Sequence, residues 1–170
     1  MTRVSAATDA RVVAETVTDP ELPMLTLADL GVLRTVRTEA DGAVVVEITP
    51  TYSGCPAMGA MRADLVRALR AAGFGDVDVR TVLSPPWSTD WISAEGRRKL
   101  AAHGIAPPGR APARSPGPVP LQLGPARRTA ACPQCGSPDT VEQSEFGATA
   151  CKALRRCRSC GEPFEHVKEI

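Results

Sequence analysis

Apolar positions along the first hundred residues change their spacing several times, and each change marks an element. Val12, Val13, Thr16 and Val17 fall on one side of a helix that Thr8 or Asp9 is placed to cap. Asp19-Pro20-Glu21 stops it, because a residue before proline avoids the helical region. Thr26 to Gly31 reads as a single helical turn with Thr26 as cap and Gly31 as end. Two strands follow, over 32–38 and 43–49, and in the second Val44, Val46 and Ile48 share a face. Asp41-Gly42 between them predicts a tight hairpin with positive φ at both central positions. Helical spacing then returns over 56–72 in Met58, Met61, Leu65, Leu69 and Ala72, with Pro56 suited to the first position and Gly73 to the end. Arg62, Arg67 and Arg70 lie off that stripe. A third strand over 77–83 places Val77, Val79, Thr81 and Leu83 on one face, and Thr89 or Asp90 can cap a last helix through Leu100. The order α-β-β-α-β-α predicts a small two-layer α/β domain, a three-stranded sheet with helices on one face.

The pattern fails between Ala106 and Ala130. Seven prolines fall there, the only charges are Arg110, Arg114, Arg127 and Arg128, and little is left to bury beyond Val119, Leu121 and Leu123. Such a stretch reads as an extended, semi-rigid linker. It divides the chain into an α/β domain over 1–106, a Pro/Arg-rich linker over 107–130 and a small module over 131–170. No internal repeat is visible. In the module, strands are expected over 140–146, 150–156 and 163–167.

Composition narrows the function classes. The chain is 43% hydrophobic and 23% charged with net charge +1, so no strong field draws in nucleic acid or an anionic membrane. A basic linker is the best support for a nucleic-acid binder, but six aromatic residues in 170 give few stacking platforms. No apolar run reaches the roughly 18 residues of a membrane span, and the N-terminus lacks a signal-peptide core, so a cytoplasmic setting is the expectation. In a reducing compartment six cysteines point to metal or redox chemistry rather than disulfides.

Five of those cysteines follow residue 130. Cys132-x-x-Cys135 and Cys157-x-x-Cys160 have the spacing of two facing knuckles, and Gly136 and Gly161 follow the second cysteine of each pair. With Val141, Phe146, Leu154, Phe164 and Val167 as its main apolar side chains, such a module cannot fold unaided. A structural ion supplying roughly 10 kcal/mol would suffice. Four thiolates fit Zn²⁺, which makes the module a zinc ribbon; a single rubredoxin-like iron for electron transfer is the alternative. Cys151 reads as a small buried residue or as a redox-sensitive thiol, and His166 as a surface residue.

Cys55 lies apart. The run Thr49-Pro50-Thr51-Tyr52-Ser53-Gly54-Cys55-Pro56 joins a strand to a helix, which puts Cys55 at or beside a helix N-cap, where free amides favour a thiolate. It reads as a metal or cluster contact, a nucleophile, or a buried cysteine in a tight turn. One thiolate cannot hold an iron-sulfur cluster, so the missing ligands would come from a second copy (a homodimer), a partner or a small thiol, implying transient carriage. No histidine stands near it in sequence to act as a base. Asp19 and Glu21 read as turn residues first. Trp87 and Trp91, four apart, read as packing on one helix face, and Arg97, Arg98 and Lys99 as a solvated face.

Asp19-Pro20-Glu21-Leu22-Pro23, Asp29-Leu30-Gly31-Val32 and the Cys55 run resemble the iron-sulfur cluster assembly domain of metal-sulfur cluster biosynthetic proteins, over about residues 5–106. Three further stretches narrow the resemblance: the one from Pro85-Pro86-Trp87 to Ile92, Gly104-Ile105-Ala106-Pro107-Pro108, and Phe146 to Leu154 ahead of the last two knuckle cysteines. The whole then resembles the D-subunit family of the ring-1,2-phenylacetyl-CoA epoxidase system of aerobic phenylacetate degradation (the PaaD, or PaaJ, family). The resemblance implies an accessory subunit, without catalysis of its own, that helps mature iron-sulfur or di-iron centres. Its implied partners are the di-iron oxygenase subunit and the reductase subunit, and its implied reactive residues are Cys55 and Glu21. A non-catalytic coupling subunit is the other role the residues allow.

Overall fold

The computed structural model describes residues 10–52, 54–111 and 129–170. The expected caps Thr8 and Asp9 and most of the proline-rich stretch lie outside the described residues. The chain forms two compact units, Met1–Lys99 and Leu100–Ile170. Among the described residues no helix is long and apolar enough to cross a membrane.

In the first unit a short helix (α1, residues 10–15) buries Ala10 and Ala14, with Val17 just beyond it. The expected stripe is therefore displaced: Val12 is 56% exposed, and Ala10 and Ala14 are fully buried instead. Asp19 then caps a turn, its Oδ1 accepting the N–H groups of Glu21 (2.7 Å) and Leu22 (2.8 Å). Thr26 and Asp29 cap the next turn reciprocally, Thr26 Oγ1 accepting from Asp29 N and Asp29 Oδ2 from Thr26 N. Gly31 ends it at φ +68, where an added Cβ would lie 2.7 Å from that of Trp91.

Strands β1 (Leu33–Thr38) and β2 (Val44–Ile48) pair antiparallel, and β3 (Val77–Thr81) joins β2 in parallel, giving the order β1-β2-β3. The turn between β1 and β2 differs from the expected hairpin. Gly42 has φ +91 but Asp41 does not; Gly42 N donates to Glu39 O, and Asp41 Oδ1 accepts from Ala43 N. One glycine in the left-handed region closes a longer loop, so the two-residue turn is not needed. Central β2 buries Val44, Val46 and Ile48 on one face and Val45 on the other.

Helix α2 (Met58–Ala71) makes the parallel crossover and buries Met61, Leu65 and Leu69. Pro56 lies before its N-cap, Ala57. Strand β3 ends before Leu83, which is 69% exposed. The expected last helix is two pieces. Ser88 caps a 3₁₀ turn (Thr89–Trp91), and Ser93 accepts from Gly96 N at the start of α3 (Ala94–Ala102). Trp87 therefore shares no helix face with Trp91: it is buried and donates to Leu30 O, while Trp91 carries the Arg34 guanidinium 3.8 Å above its ring. The basic run of α3 is only partly solvated, since Lys99 pairs with Asp29 (2.7 Å) and Arg97 donates to Thr89 O.

The second unit is a four-stranded sheet of order β4-β7-β6-β5, with β4 (Ile105–Ala106), β5 (Thr140–Ser144), β6 (Lys152–Cys157) and β7 (Pro163–Val167). The 1–106 division expected from sequence differs from these units because Ile105 and Ala106 pair in parallel with Glu165 and His166 of β7. The core of the unit is small: Ala106, Ala130, Cys132, Cys157 and Phe164. Phe146, one of the module's main apolar side chains, is 63% exposed with Lys168 Nζ 4.6 Å from its ring. His166, expected at the surface, is fully buried because β7 is an interior strand.

Candidate metal centre

The two knuckles meet at one end of the ribbon, where Thr140 at the start of β5 pairs with Cys157 at the end of antiparallel β6. Cys132 and Cys135 precede β5, Cys157 closes β6, and Cys160 sits in the turn into β7. Gly136 (φ +73) donates to Cys132 O and Gly161 (φ +80) to Cys157 O, so each knuckle closes through a glycine that no L side chain replaces without strain. Ser137 and Ser159 Oγ atoms, one from each knuckle, lie 2.7 Å apart and tie the two turns together.

The four Sγ atoms all lie within 4.8 Å of one another, with Cys132 to Cys160 at 3.8 Å and Cys135 to Cys157 at 3.6 Å. Four sulfurs each about 2.3 Å from one ion would stand close to this far apart. Among the described residues no other group of three or more potential ligands comes close enough to share an ion. None of the cysteines is in a disulfide.

Electrostatics agree with shared thiolates. N–H groups of Cys160 and Ser159 point at Cys157 and, against its burial, draw its thiol down to about 6. Cys160 receives the N–H of Glu162, yet burial and the three neighbouring thiols push it up to about 12. Cys135, with the Ser137 N–H on its sulfur, is likewise raised by its neighbours. One sulfur ionises readily and the next ones resist, because like charges crowd a small volume. A cation at the centre removes that repulsion. Cys132 and Cys157 are buried while Cys135 and Cys160 are exposed.

Cys151 lies apart from this group, half-buried, with its sulfur 3.1 Å from Thr149 Oγ1. Beside β7, His166 Nε2 lies 3.2 Å from Glu169 Oε1. That carboxylate also accepts Gly109 N–H at 2.9 Å. Burial would raise the Glu169 carboxyl, but the His166 and Gly109 hydrogen bonds prevail and hold it down to about 2.

Cys55 occupies the turn between β2 and α2. Its N–H donates to Tyr52 O (3.3 Å) and its carbonyl accepts from Met58 N (3.4 Å). It thus stands two residues before the N-cap, not on it, and its thiol is half-exposed. Thr49, at the end of β2, is buried, and its hydroxyl has no protein hydrogen-bond partner among the described residues. Glu21 is half-buried in the Asp19 turn. Neither Cys55 nor Glu21 belongs to a multi-ligand group among the described residues. Sequence reasoning overlooked the Asp29 junction, where one carboxylate meets Thr26, Ser93 and Lys99. Its signal was present, since an acid three residues after a threonine cap is the capping-box spacing.

Comparison with known proteins covers both units. Residues 9–81 match the model of the iron-sulfur cluster assembly protein family, and residues 116–168 match that of the PaaD zinc beta ribbon domain. The second match begins inside the stretch read as linker. A protein of Escherichia coli (strain K12) that carries the name of the D subunit of 1,2-phenylacetyl-CoA epoxidase is 43% identical over 89% of this chain and 86% of its own length. An Fe-S protein maturation auxiliary factor, SufT, of Staphylococcus aureus (strain USA300) is 37% identical over 45% of this chain and 88% of its own. A crystal structure of a domain of unknown function, DUF59, from Bacillus anthracis covers 59% of this chain and 95% of its own, with TM-score 0.54 and 26% identity. An assembly-type α/β unit followed by a four-cysteine ribbon, alike over most of the length of an epoxidase D subunit, is the pattern of one family: the chain belongs to the PaaD family, the D subunits of 1,2-phenylacetyl-CoA epoxidase.

Proposed function

We propose that this chain is an accessory subunit of a phenylacetyl-CoA epoxidase and acts in maturing the iron centres of its oxygenase and reductase subunits. Cys55 is the residue that handles iron or a small cluster, with Glu21, in the Asp19 turn, as a second candidate contact. A lone thiolate leaves most coordination positions to other molecules, which suits a site that receives and releases. The half-exposed position of Cys55 supports this reading. The observation that carries it is the likeness of residues 9–81 to the assembly family, in a chain alike over most of its length to an epoxidase D subunit.

The four-cysteine centre has a different role. Cys132, Cys135, Cys157 and Cys160 present four sulfurs and no open position, as a structural Zn²⁺ requires. The ion holds the ribbon, and the ribbon serves as a docking module for the client proteins.

The test uses a strain that lacks the chain and is complemented with parent or Cys55→Ala protein. Iron per oxygenase and per reductase is then measured after purification. Maturation predicts underloaded clients without the chain and with Cys55→Ala. Full loading in the deletion strain rejects it. Because Cys55 stands outside any multi-ligand group among the described residues, a purely coupling role is the second reading; it predicts full pathway activity with Cys55→Ala.

A further inference from the structure

Beside the outer edge of the first unit's sheet runs an open trough of about 470 Å³. Its strand side is β3, which among the described residues pairs with β2 alone and so leaves its other edge without a strand. Its helix side is a stripe of α2. Ala63, Val66, Val77 and Val79 give the trough an apolar lining, and Arg62, Arg67 and Arg70 give it charge.

The charge is only partly neutralised locally. Asp78, the one acidic lining residue, pairs with Arg80 at 2.6 Å. Arg67 pairs with Asp64 on its own helix. Arg62 reaches only the Thr81 hydroxyl, at 3.4 Å, and among the described residues no carboxylate pairs with Arg62 or Arg70. All three arginines are exposed. An unpaired strand edge offers alternating N–H and C=O groups over about 17 Å, at ~3.3 Å per residue for five residues.

We propose that this trough binds an extended acidic segment of a partner protein, which adds as a fourth strand along β3 with its carboxylates against Arg62, Arg67 and Arg70. Main-chain hydrogen bonds along β3 supply affinity, alternate side chains enter the apolar lining, and the arginines select for acid. A second copy of this chain is a poor occupant. Two-fold pairing of β3 edges would bring the arginine stripes of two α2 helices together, and like charges repel. The inference goes beyond the iron-handling reading and stands whether or not Cys55 carries iron.

The test is fluorescence anisotropy on the full chain with a short fluorescein-labelled peptide of alternating glutamate and valine. Hydrogen exchange is followed along Val77–Thr81. Expected are saturable binding weakened by salt, slowed exchange along β3, and about tenfold or greater loss of affinity on R62E/R67E/R70E. Because these side chains are exposed, circular dichroism of the variant should match the parent. The same charge change at Arg11, Arg37 and Arg98 should alter affinity by less than about threefold. No binding, unchanged exchange along β3, equal loss in both triple variants, or full displacement by inorganic phosphate would each overturn the proposal.

Discussion

Removing the Asp29 carboxylate should loosen the first unit at a single point where three segments meet. Asp29 Oδ2 accepts from Thr26 N at 3.1 Å and from Lys99 Nζ at 2.7 Å, and Oδ1 lies 3.3 Å from Ser93 Oγ. Loss of the capping bond costs about 1 kcal/mol. Loss of a part-buried charged bond costs about 1.5 kcal/mol, the low end of its range because Lys99 is 29% exposed and can turn to water. Asp29→Ala should therefore destabilise by roughly 2–3 kcal/mol, a fall in melting temperature of about 10 °C or more for a unit of this size. Lys99→Met alone should cost about 1 kcal/mol, and the double variant should show coupling of about 1 kcal/mol. Burial acts to raise the Asp29 carboxyl, but Lys99 and the Thr26 N–H outweigh it and the net shift is downward. The carboxylate's contribution is thus present above the ordinary value of 3.8 and is lost as pH falls through the lower folded value. Urea unfolding read from the fluorescence of Trp87 and Trp91 reports this unit directly. A destabilisation under about 0.5 kcal/mol, or strict additivity with Lys99→Met, would refute the junction as described.

Other perturbations separate the remaining parts. Gly31→Ala should destabilise the first unit by about 2 kcal/mol or more in the same assay, since the new Cβ meets Trp91 at 2.7 Å with φ at +68. Cys55→Ala should leave unfolding midpoints within about 0.5 kcal/mol of the parent, because its half-exposed thiol fills no core space; a large loss would make it a packing residue. Glu169→Gln should weaken the second unit at neutral pH, where the parent's carboxylate, held down to about 2, is fully ionised; chemical unfolding of both metal-loaded proteins near pH 7 checks it.

Much of the α/β unit was legible because its signals are local. The stripe of Met61, Leu65 and Leu69, the alternation of Val44, Val46 and Ile48, and the caps at Thr26 and Gly31 each involve residues within two turns or one strand. Both knuckles were legible for the same reason, since cysteine spacing and a following glycine fix their geometry. What escaped depends on distant partners. The two-residue strand Ile105–Ala106 has no periodicity of its own and exists because β7 lies beside it. That pairing makes β7 an interior strand, which buries His166. Lys99 looks like any helix-surface lysine until Asp29 is brought against it. The helix expected from Thr89 onward breaks at Ser93, where two serine caps compete with one continuous stripe.

If a metal ion rather than the apolar core holds the ribbon, removing it should unfold the strands. Protein purified anaerobically, as parent, Cys55→Ala and Cys157→Ser, should be assayed for zinc and iron together with amide exchange in β5, β6 and β7. One zinc and no visible thiolate-iron colour are expected in parent and Cys55→Ala. Loss of the ion and of strand protection is expected in Cys157→Ser, and in the parent after chelation. A chelated parent that keeps its strand protection with all four sulfurs reduced would contradict a metal-held ribbon.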